Sequence, residues 1–274
     1  HNMNMNFEEL SWKRGTKNID FQPSIGRAIG TAQFESNRFF NYNFFSELQG
    51  RDYAHPLVSL WNFSRQVNGA REFPLRAYSG NIGRADYQVR HQMMKLSRLG
   101  FIFYDDEKDR ITLKDKLFYF IEASMGKTDF DVILFESNVK APNQNASLNL
   151  ENKDLTIFGI PNIFLSDSQN VVIVPAANKI VMKRNKNFQF DGSIKAGLIT
   201  MYGSNFFFSY DSFKVNLQDI DSLRVQVMTT DRNTGAREIT NIANLIQDLT
   251  GEILIDKPDN KSGLEDNPDY PVFR

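Results

Sequence analysis

The spacing of apolar residues changes once along the chain. Up to about residue 127 they recur mostly three or four positions apart, as on one face of a helix; from Phe130 onward they alternate with polar residues, as in strands. The strand-like runs follow one another at intervals of about 8 to 12 residues, which leaves no room for crossover helices, so their sheet should be antiparallel. The pattern predicts an α+β protein with a helical region followed by an antiparallel β module, either a sandwich or a stacked β-coil.

The helical region shows a definite order of elements. Pro56 suits the first turn of a helix, Asn68 and Gly69 end that helix, and Gly100 ends a later one. Apolar and polar residues alternate on both sides of a charged turn in FIFYDDEKDRITL, which is a hairpin pattern. The predicted elements are a helix over Phe34–Leu48, a helix over His55–Val67, a short helix or strand over Phe73–Tyr78, a helix over Arg84–Leu99, the hairpin over Phe101–Leu113 and a helix over Asp115–Ser124.

The helix before Gly100 has two distinct faces. Val89, Met93 and Leu96 form an apolar stripe, and polar residues recur at spacings of three and four on another side. The helical region has the order helix, short helix, turn, helix, hairpin, which resembles a winged helix-turn-helix. The stretch QVRHQMMKLSRLGFI carries this likeness. In that class the third helix commonly lies in the DNA major groove, so the resemblance implies a reading face made of Arg84, Gln88, His91, Lys95 and Arg98.

The tip of the predicted hairpin argues against DNA. It carries four acidic and two basic residues, where a DNA-binding wing should present positive charge to phosphates. These residues are Asp105, Asp106, Glu107, Lys108, Asp109 and Arg110. The sequence therefore favours a packing or protein-binding face on this helix over a DNA-binding one.

The patterns divide the chain into four segments. They are an extended lead-in plus an aromatic helix over residues 1–50, a winged-helix-like domain over 51–127, an antiparallel β domain over 128–256 and an extended polar tail over 257–274. Near the end of the β domain, residues 239–249 fit a helix as well as a strand.

Composition removes most catalytic chemistries. The chain has no cysteine, which excludes a disulfide and a Cys nucleophile. Its three histidines, at positions 1, 55 and 91, lie far apart in sequence, so few residues are available as zinc ligands. Nothing in the sequence fixes two carboxylates across a cleft, and we expect no enzyme activity, no cofactor and no metal. A net charge of −1 supplies no global attraction to nucleic acid, and no segment approaches the roughly 20 apolar residues of a membrane span.

Several stretches resemble a known family. They are ADYQVRHQMMKLSRLGFIFYDDEKDRITLKDKLFYFIEA, YGSNFFFSYDSFKVNL and DKPDNKSGL, and they are similar to the C-terminal part of very large uncharacterised bacterial proteins of Gram-negative, gut and gliding types. The resemblance implies a fragment of a longer chain in the cell envelope, in the periplasm, with the cytoplasm as the alternative. The opening HNMNMNFEELSWKRG, which does not look like a natural start, agrees with a fragment. The implied partners are other parts of the same longer chain or another envelope protein.

A second resemblance concerns the β half. FDGSIKAGLITMYGSNFFFSYDSFKV is similar in rhythm to the β-repeats of lipopolysaccharide-transport bridge proteins and AsmA-type proteins, which stack strands into an open apolar groove for lipid. The ordinary alternative is a sandwich core, which the pattern favours. The groove lining implied by the resemblance is Ile194, Leu198, Ile199, Met201, Phe206, Phe207, Phe208 and Tyr210.

Three functions follow from these observations. The first is a non-enzymatic structural or interaction module of a large envelope protein, with the helical region as its docking element. The alternatives are a lipid-binding bridge segment of an envelope transport protein and a DNA-binding winged-helix regulator.

Overall fold

The computed structural model describes residues 1–50, 52–166, 168–230, 237–241 and 249–274. The chain divides into two compact units: His1–Phe39 together with Asp131–Arg274 form one, and Phe40–Phe130 form the other. We refer to them as the β unit and the helical unit. In sequence, the helical unit is thus an insertion between two parts of the β unit.

Helices and strands account for most of the described chain. The described residues form five α-helices: α1 Tyr42–Gln49, α2 Pro56–Gln66, α3 Leu75–Ile82, α4 Asp86–Arg98 and α5 Asp115–Ser124. The strands are β1 Met3–Asn6, β2 Glu9–Ser11, β3 Asn18–Gln22, β4 Ile29–Ser36, β5 Glu72–Pro74, β6 Ile102–Asp105, β7 Arg110–Leu113, β8 Leu134–Lys140, β9 Ala146–Asn149, β10 Leu155–Phe158, β11 Ile163–Ser166, β12 Val171–Pro175, β13 Lys179–Met182, β14 Phe188–Ala196, β15 Ile199–Ser209, β16 Lys214–Thr230, β17 Arg237–Asn241, β18 Leu249–Leu254 and β19 Val272–Phe273. Of residues 239–249, the first three and the last are in strands, and residues 242–248 lie outside the described chain.

The β unit contains two sheets. One has the order β1–β4–β8, and the other runs β19–β18–β16–β15–β14–β13–β10–β9–β3–β2, with β12 beside β14, β11 beside β12 and β17 beside β16. Every pairing between these strands is antiparallel, which confirms the α+β class and the antiparallel β module predicted from the alternating pattern.

The two sheets of the β unit share one apolar core. Phe34 of β4 and Phe135 of β8 are fully buried together with residues of the larger sheet. The Phe135 ring lies 5.5 Å from that of Phe188, and the Phe21 ring lies 6.4 Å from that of Phe34, each pair edge to face. Because residues of both sheets fill the same cluster, the core is enclosed between sheets, as in the sandwich alternative.

The N-terminal segment is part of the β unit. Residues expected to form an extended lead-in are β1 to β4, and Ala32, Phe34 and Ser36 are buried at every second position of β4. The predicted helix over Phe34–Leu48 is therefore wrong in its first part. The helix begins at Tyr42, where the Asn41 side chain accepts a hydrogen bond from the Phe44 amide at 2.9 Å.

The C-terminal segment is also held by the β unit and is not a simple extended tail. Asp256 is 2% exposed, and its carboxylate accepts hydrogen bonds from the side chains of Gln169, Asn260 and Asn267 at 3.2, 3.0 and 2.9 Å. The chain then ends in β19, which pairs with β18. One of these partners, Gln169, lies 87 residues from Asp256, so a local sequence pattern does not reveal this contact.

The helical unit follows the predicted order closely. Helices α2, α4 and α5 and the β6–β7 hairpin occupy the predicted stretches, whereas Phe73–Tyr78 divides between β5 and α3. Strand β5 pairs with β7, giving a sheet of order β5–β7–β6. Val89, Met93 and Leu96 of α4 are all 1% exposed or less, so the predicted apolar stripe is confirmed.

A buried carboxylate joins the two places where the β unit is interrupted in sequence. Asp131, the first residue after the insertion, accepts hydrogen bonds from the Ser36 hydroxyl, the Lys186 ammonium at 2.8 Å and the Tyr210 hydroxyl at 2.8 Å. Its amide donates to the Arg38 carbonyl at 2.9 Å. Asp131 is 2% exposed and Lys186 4%, and burial lowers the pKa of Lys186, with the hydrogen bond to Asp131 opposing that shift.

Removing the buried carboxylate should destabilise the chain strongly. Asp131→Ala leaves the Lys186 ammonium buried without a counter-charge, so we expect the free energy of unfolding in urea to fall by about 3–5 kcal/mol. Glu151→Ala breaks the exposed pair with Lys17 and should cost no more than about 1 kcal/mol. The double variant D131N/K186M should recover much of the loss, and equal losses in D131A and E151A would contradict this account.

A buried histidine begins helix α2. His55 Nδ1 accepts a hydrogen bond from the Leu57 amide at 3.2 Å, Nε2 donates to the Phe45 carbonyl at 2.8 Å, and the ring stacks on Phe45 at 3.9 Å. Accepting at Nδ1 requires the neutral ring. Burial lowers the pKa of His55 below its ordinary 6.5, with the Phe45 carbonyl opposing that shift.

This histidine should make stability depend on pH. Below the ordinary pKa of 6.5 the unfolded chain takes up a proton that folded His55 resists, so the free energy of unfolding should fall as pH decreases from about 7 to about 5. His55→Asn keeps an oxygen acceptor at the helix start and cannot titrate. Urea unfolding at several pH values should show a shallower pH slope for His55→Asn; an unchanged slope would exclude His55 as the cause.

Candidate functional site

The outer face of helix α4 is the most distinctive exposed surface of the helical unit. Because its apolar stripe is buried, the residues on the opposite side point to solvent. The structure leaves all five predicted face residues exposed: Arg84, Gln88, His91, Lys95 and Arg98. Arg84 lies two residues before the helix begins, and the other four lie on it.

Two apolar side chains are also exposed on α4. Tyr87 is 70% exposed and Met94 is 39% exposed. Tyr87 lies four residues before His91 and Met94 lies three residues after it, so both are on the polar side of the helix. A pattern of polar positions alone does not include these two residues. Their signal was an aromatic and a Met at positions that do not belong to the apolar stripe.

The five predicted residues are not equivalent electrostatically. Arg84 pairs with the Asp52 carboxylate at 2.8 Å, which raises the pKa of Arg84, and Gln92 donates to the other oxygen of Asp52 at 3.0 Å. Within the described chain, Lys95 and Arg98 form no ion pair. The free positive charge of this face therefore resides at its C-terminal end.

The β6–β7 hairpin is fixed beside α4 by one of its acids. The Arg90 guanidinium of α4 binds the Asp109 carboxylate at 2.6 Å, and the Tyr104 hydroxyl donates to the same carboxylate. These hydrogen bonds lower the pKa of Asp109. The pairing orients the hairpin against the helix, which the sequence analysis did not foresee.

Not all of the acidic charge at the hairpin tip is free. Asp105 accepts from the Lys108 amide at 3.0 Å, and this bond lowers the pKa of Asp105. Arg110 pairs with Glu72 of β5 at 2.6 Å, and Asp106 and Glu107 remain exposed. The outer surface of the helical unit thus combines a cationic end of α4 with an acidic hairpin tip.

The eight residues predicted to line a lipid groove are in the core or beside it. Ile194, Met201, Phe206 and Phe208 have no exposed surface and belong to the apolar cluster of the β unit. The other four are half-buried: Leu198, Ile199, Phe207 and Tyr210. The fully buried four pair across β14 and β15, with Phe190 opposite Phe206 and Phe188 opposite Phe208, and present no surface to a groove.

Comparisons and searches for metal or membrane features add no further site. Among the described residues, no group of three or more His, Cys, Asp or Glu side chains could hold a metal ion, and no helix is long and apolar enough to cross a membrane. Comparison with protein-family models, curated proteins and solved structures returns no match to this chain.

Proposed function

We propose that the chain is a non-enzymatic interaction module whose helical unit binds an acidic protein segment through the outer face of α4. The observation that carries the proposal is the exposed, unpaired positive charge of Lys95 and Arg98 beside exposed Tyr87 and Met94. Aromatic, Met and Arg side chains are the types enriched at protein interfaces. A mixed aromatic and cationic strip can bury apolar area while pairing with carboxylates at its edge.

The hairpin tip favours protein over a phosphate backbone. Asp106 and Glu107 are exposed, and Asp109 of the same tip binds Arg90 of α4, so a long anionic surface lying along α4 would approach these acids. A duplex is uniformly negative, so it would meet repulsion at the tip. A protein segment can place acids opposite Lys95 and Arg98 and bases opposite the tip.

The source of the partner follows from the family resemblance. The stretch from residue 85 through α5 resembles the C-terminal part of very large uncharacterised bacterial proteins, and this resemblance implies a location in the cell envelope. We propose that the acidic segment belongs to the same longer chain or to another envelope protein, and that binding takes place in the periplasm. No catalytic step is part of this proposal.

A DNA-binding winged helix is the second candidate. The order α2, β5, α3, α4, β6, β7, with β5 paired to β7, supports a winged-helix arrangement in which α4 is the third helix. In this alternative, Gln88, His91 and Lys95 would face base edges, and the paired acids Asp105 and Asp109 would reduce repulsion at the wing. DNA binding remains the second candidate because the exposed carboxylates of Asp106 and Glu107 would repel DNA phosphates.

The two candidates are separated by replacing the free charges of α4. The probes are a fluorescein-labelled Glu- and Leu-rich peptide and a labelled random-sequence duplex, measured by fluorescence anisotropy at physiological salt. We expect the peptide to bind and K95A/R98A to weaken it about two- to thirtyfold, since each exposed ion pair contributes roughly 0.2–1 kcal/mol. The matched control K114A/K127A removes two exposed charges of the same unit outside α4 and should leave binding unchanged.

Three outcomes decide between the candidates. Equal weakening in both double variants, or no saturable peptide binding, would contradict docking through α4. Duplex binding that is tighter than peptide binding, falls steeply with salt and is lost in K95A/R98A would replace the protein proposal with the DNA one.

A further inference from the structure

A cleft of about 600 Å³ opens on the surface of the β unit. Its size lies within the roughly 300–1,000 Å³ typical of small-molecule sites. It is formed by the end of β8, the turn that follows β8, the end of β10 and the turn before β13. None of the sequence motifs pointed to it, because its walls come from separate parts of the chain.

Four primary amides line this cleft. The side chains of Asn138, Asn143, Gln144 and Asn178 make no hydrogen bond with any other described residue. Each amide carries two N–H donors and a carbonyl acceptor. The cleft therefore presents a set of paired donors and acceptors that are free to bind a ligand.

Flat apolar surface lies among the amides. Phe158, at the end of β10, is half-buried and lines the cleft, and Pro142 lines it from the turn after β8. A ring of this kind offers a face for the C–H groups of a ligand. Among the described residues that line the cleft, Lys140 is the only charged one.

The backbone beneath the cleft is rigidly held. The Asn138 amide donates to the Gly159 carbonyl at 2.9 Å, and the Ile160 amide donates to the Asn178 carbonyl at 3.0 Å. The buried Ser137 hydroxyl donates to the Phe158 carbonyl at 2.6 Å. Gly159 has a φ of +70°, and a Cβ there would lie 2.4 Å from the Asn138 carbonyl oxygen, so these two segments are in close contact. A fixed frame reduces the entropy lost on binding.

The lining selects one class of ligand over others. A phosphate or carboxylate needs a concentration of positive charge, and the described lining contains one lysine. A divalent cation needs carboxylates, and none is found among the described residues of the lining. Sugar hydroxyls donate and accept at adjacent positions, as the amides do, and the C–H face of a pyranose ring fits an aromatic ring.

From this geometry we propose that the cleft is a binding site for a neutral saccharide. Asn138, Asn143, Gln144 and Asn178 hydrogen-bond its hydroxyl groups, and Phe158 packs against one sugar face. Glycoside hydrolysis commonly uses a pair of carboxylates across the bond. The described lining residues include no such carboxylate, so the proposal is of binding alone. The proposal is independent of the α4 surface, which lies in the other unit.

The test is isothermal titration of the full chain with maltotriose, cellotriose and chitotriose, together with saturation-transfer NMR. At least one of these sugars should bind saturably. The variant N138A/N143A should weaken its binding at least about fivefold, because each lost neutral hydrogen bond is worth roughly 0.5–1.5 kcal/mol. Phe158→Leu, which keeps apolar volume and removes the ring, should weaken it as well.

Controls separate loss of the site from loss of the fold. Asn62→Ala removes an exposed amide on α2 and should leave sugar binding unchanged, and circular dichroism should be the same for all variants. The proposal is overturned if none of the three sugars binds at millimolar concentration, or if binding is indifferent to both cleft variants. It is equally overturned if a neutral Gly–Ser–Asn peptide binds the same residues more tightly than any sugar.

Discussion

The buried carboxylate of Asp131 is the interaction on which the β unit depends. Its hydrogen-bond donors lie at the end of β4, in the segment before β14 and directly after β15, so one side chain connects three distant parts of the sequence. A buried ion pair contributes little net stability compared with apolar residues, but it penalises arrangements that leave either charge alone. Residues 36–39 and 131–133 are thereby fixed next to each other, where the Phe39 and Asp131 backbones also form a bridge. The chain segments that enter and leave an inserted unit must lie side by side, and the contacts of Asp131 hold them there.

With its ends fixed and a core of its own, the helical unit can leave a polar and aromatic helix face uncovered. The buried stripe of α4 supplies stability, and the opposite face is free of that requirement. Asp52 pairs with Arg84 and Asp109 pairs with Arg90, so these two acids are already paired within the helical unit. Lys95 and Arg98 remain exposed together with Tyr87 and Met94, and the proposed docking surface consists of these four side chains. In the β unit, too, the residues that hold the fold differ from the residues that line the cleft. Backbone hydrogen bonds hold the segments around the cleft, and the side-chain amides of the cleft form no hydrogen bond with other described residues.

Local pattern predicted local structure well and long-range structure poorly. Helices α2, α4 and α5 and the charged hairpin follow from spacing, Pro56 and Gly100, which act within a few residues. Strands β3 and β4 were missed because their partners in β9 and β8 lie about a hundred or more residues away, and β1 and β2 pair in turn with β4 and β3. Phe34 fits a helix pattern as well as a strand pattern until its pairing with β8 is known. The buried Asp131 and Asp256 networks and the amide cleft have no local signal. The polar face of α4 was predictable from spacing, and the position of Tyr87 outside the apolar stripe was a further signal in the sequence, whereas the pairing of Arg84 with Asp52 required the fold.

The most direct test of the central claim, that the outer face of α4 is a docking surface, is amide chemical-shift mapping of isotope-labelled protein during titration with the Glu- and Leu-rich peptide. The account predicts that the largest shift changes occur along α4 from Tyr87 to Arg98, with smaller changes at the hairpin tip. Large changes elsewhere and none on α4 would contradict it, even if the peptide binds.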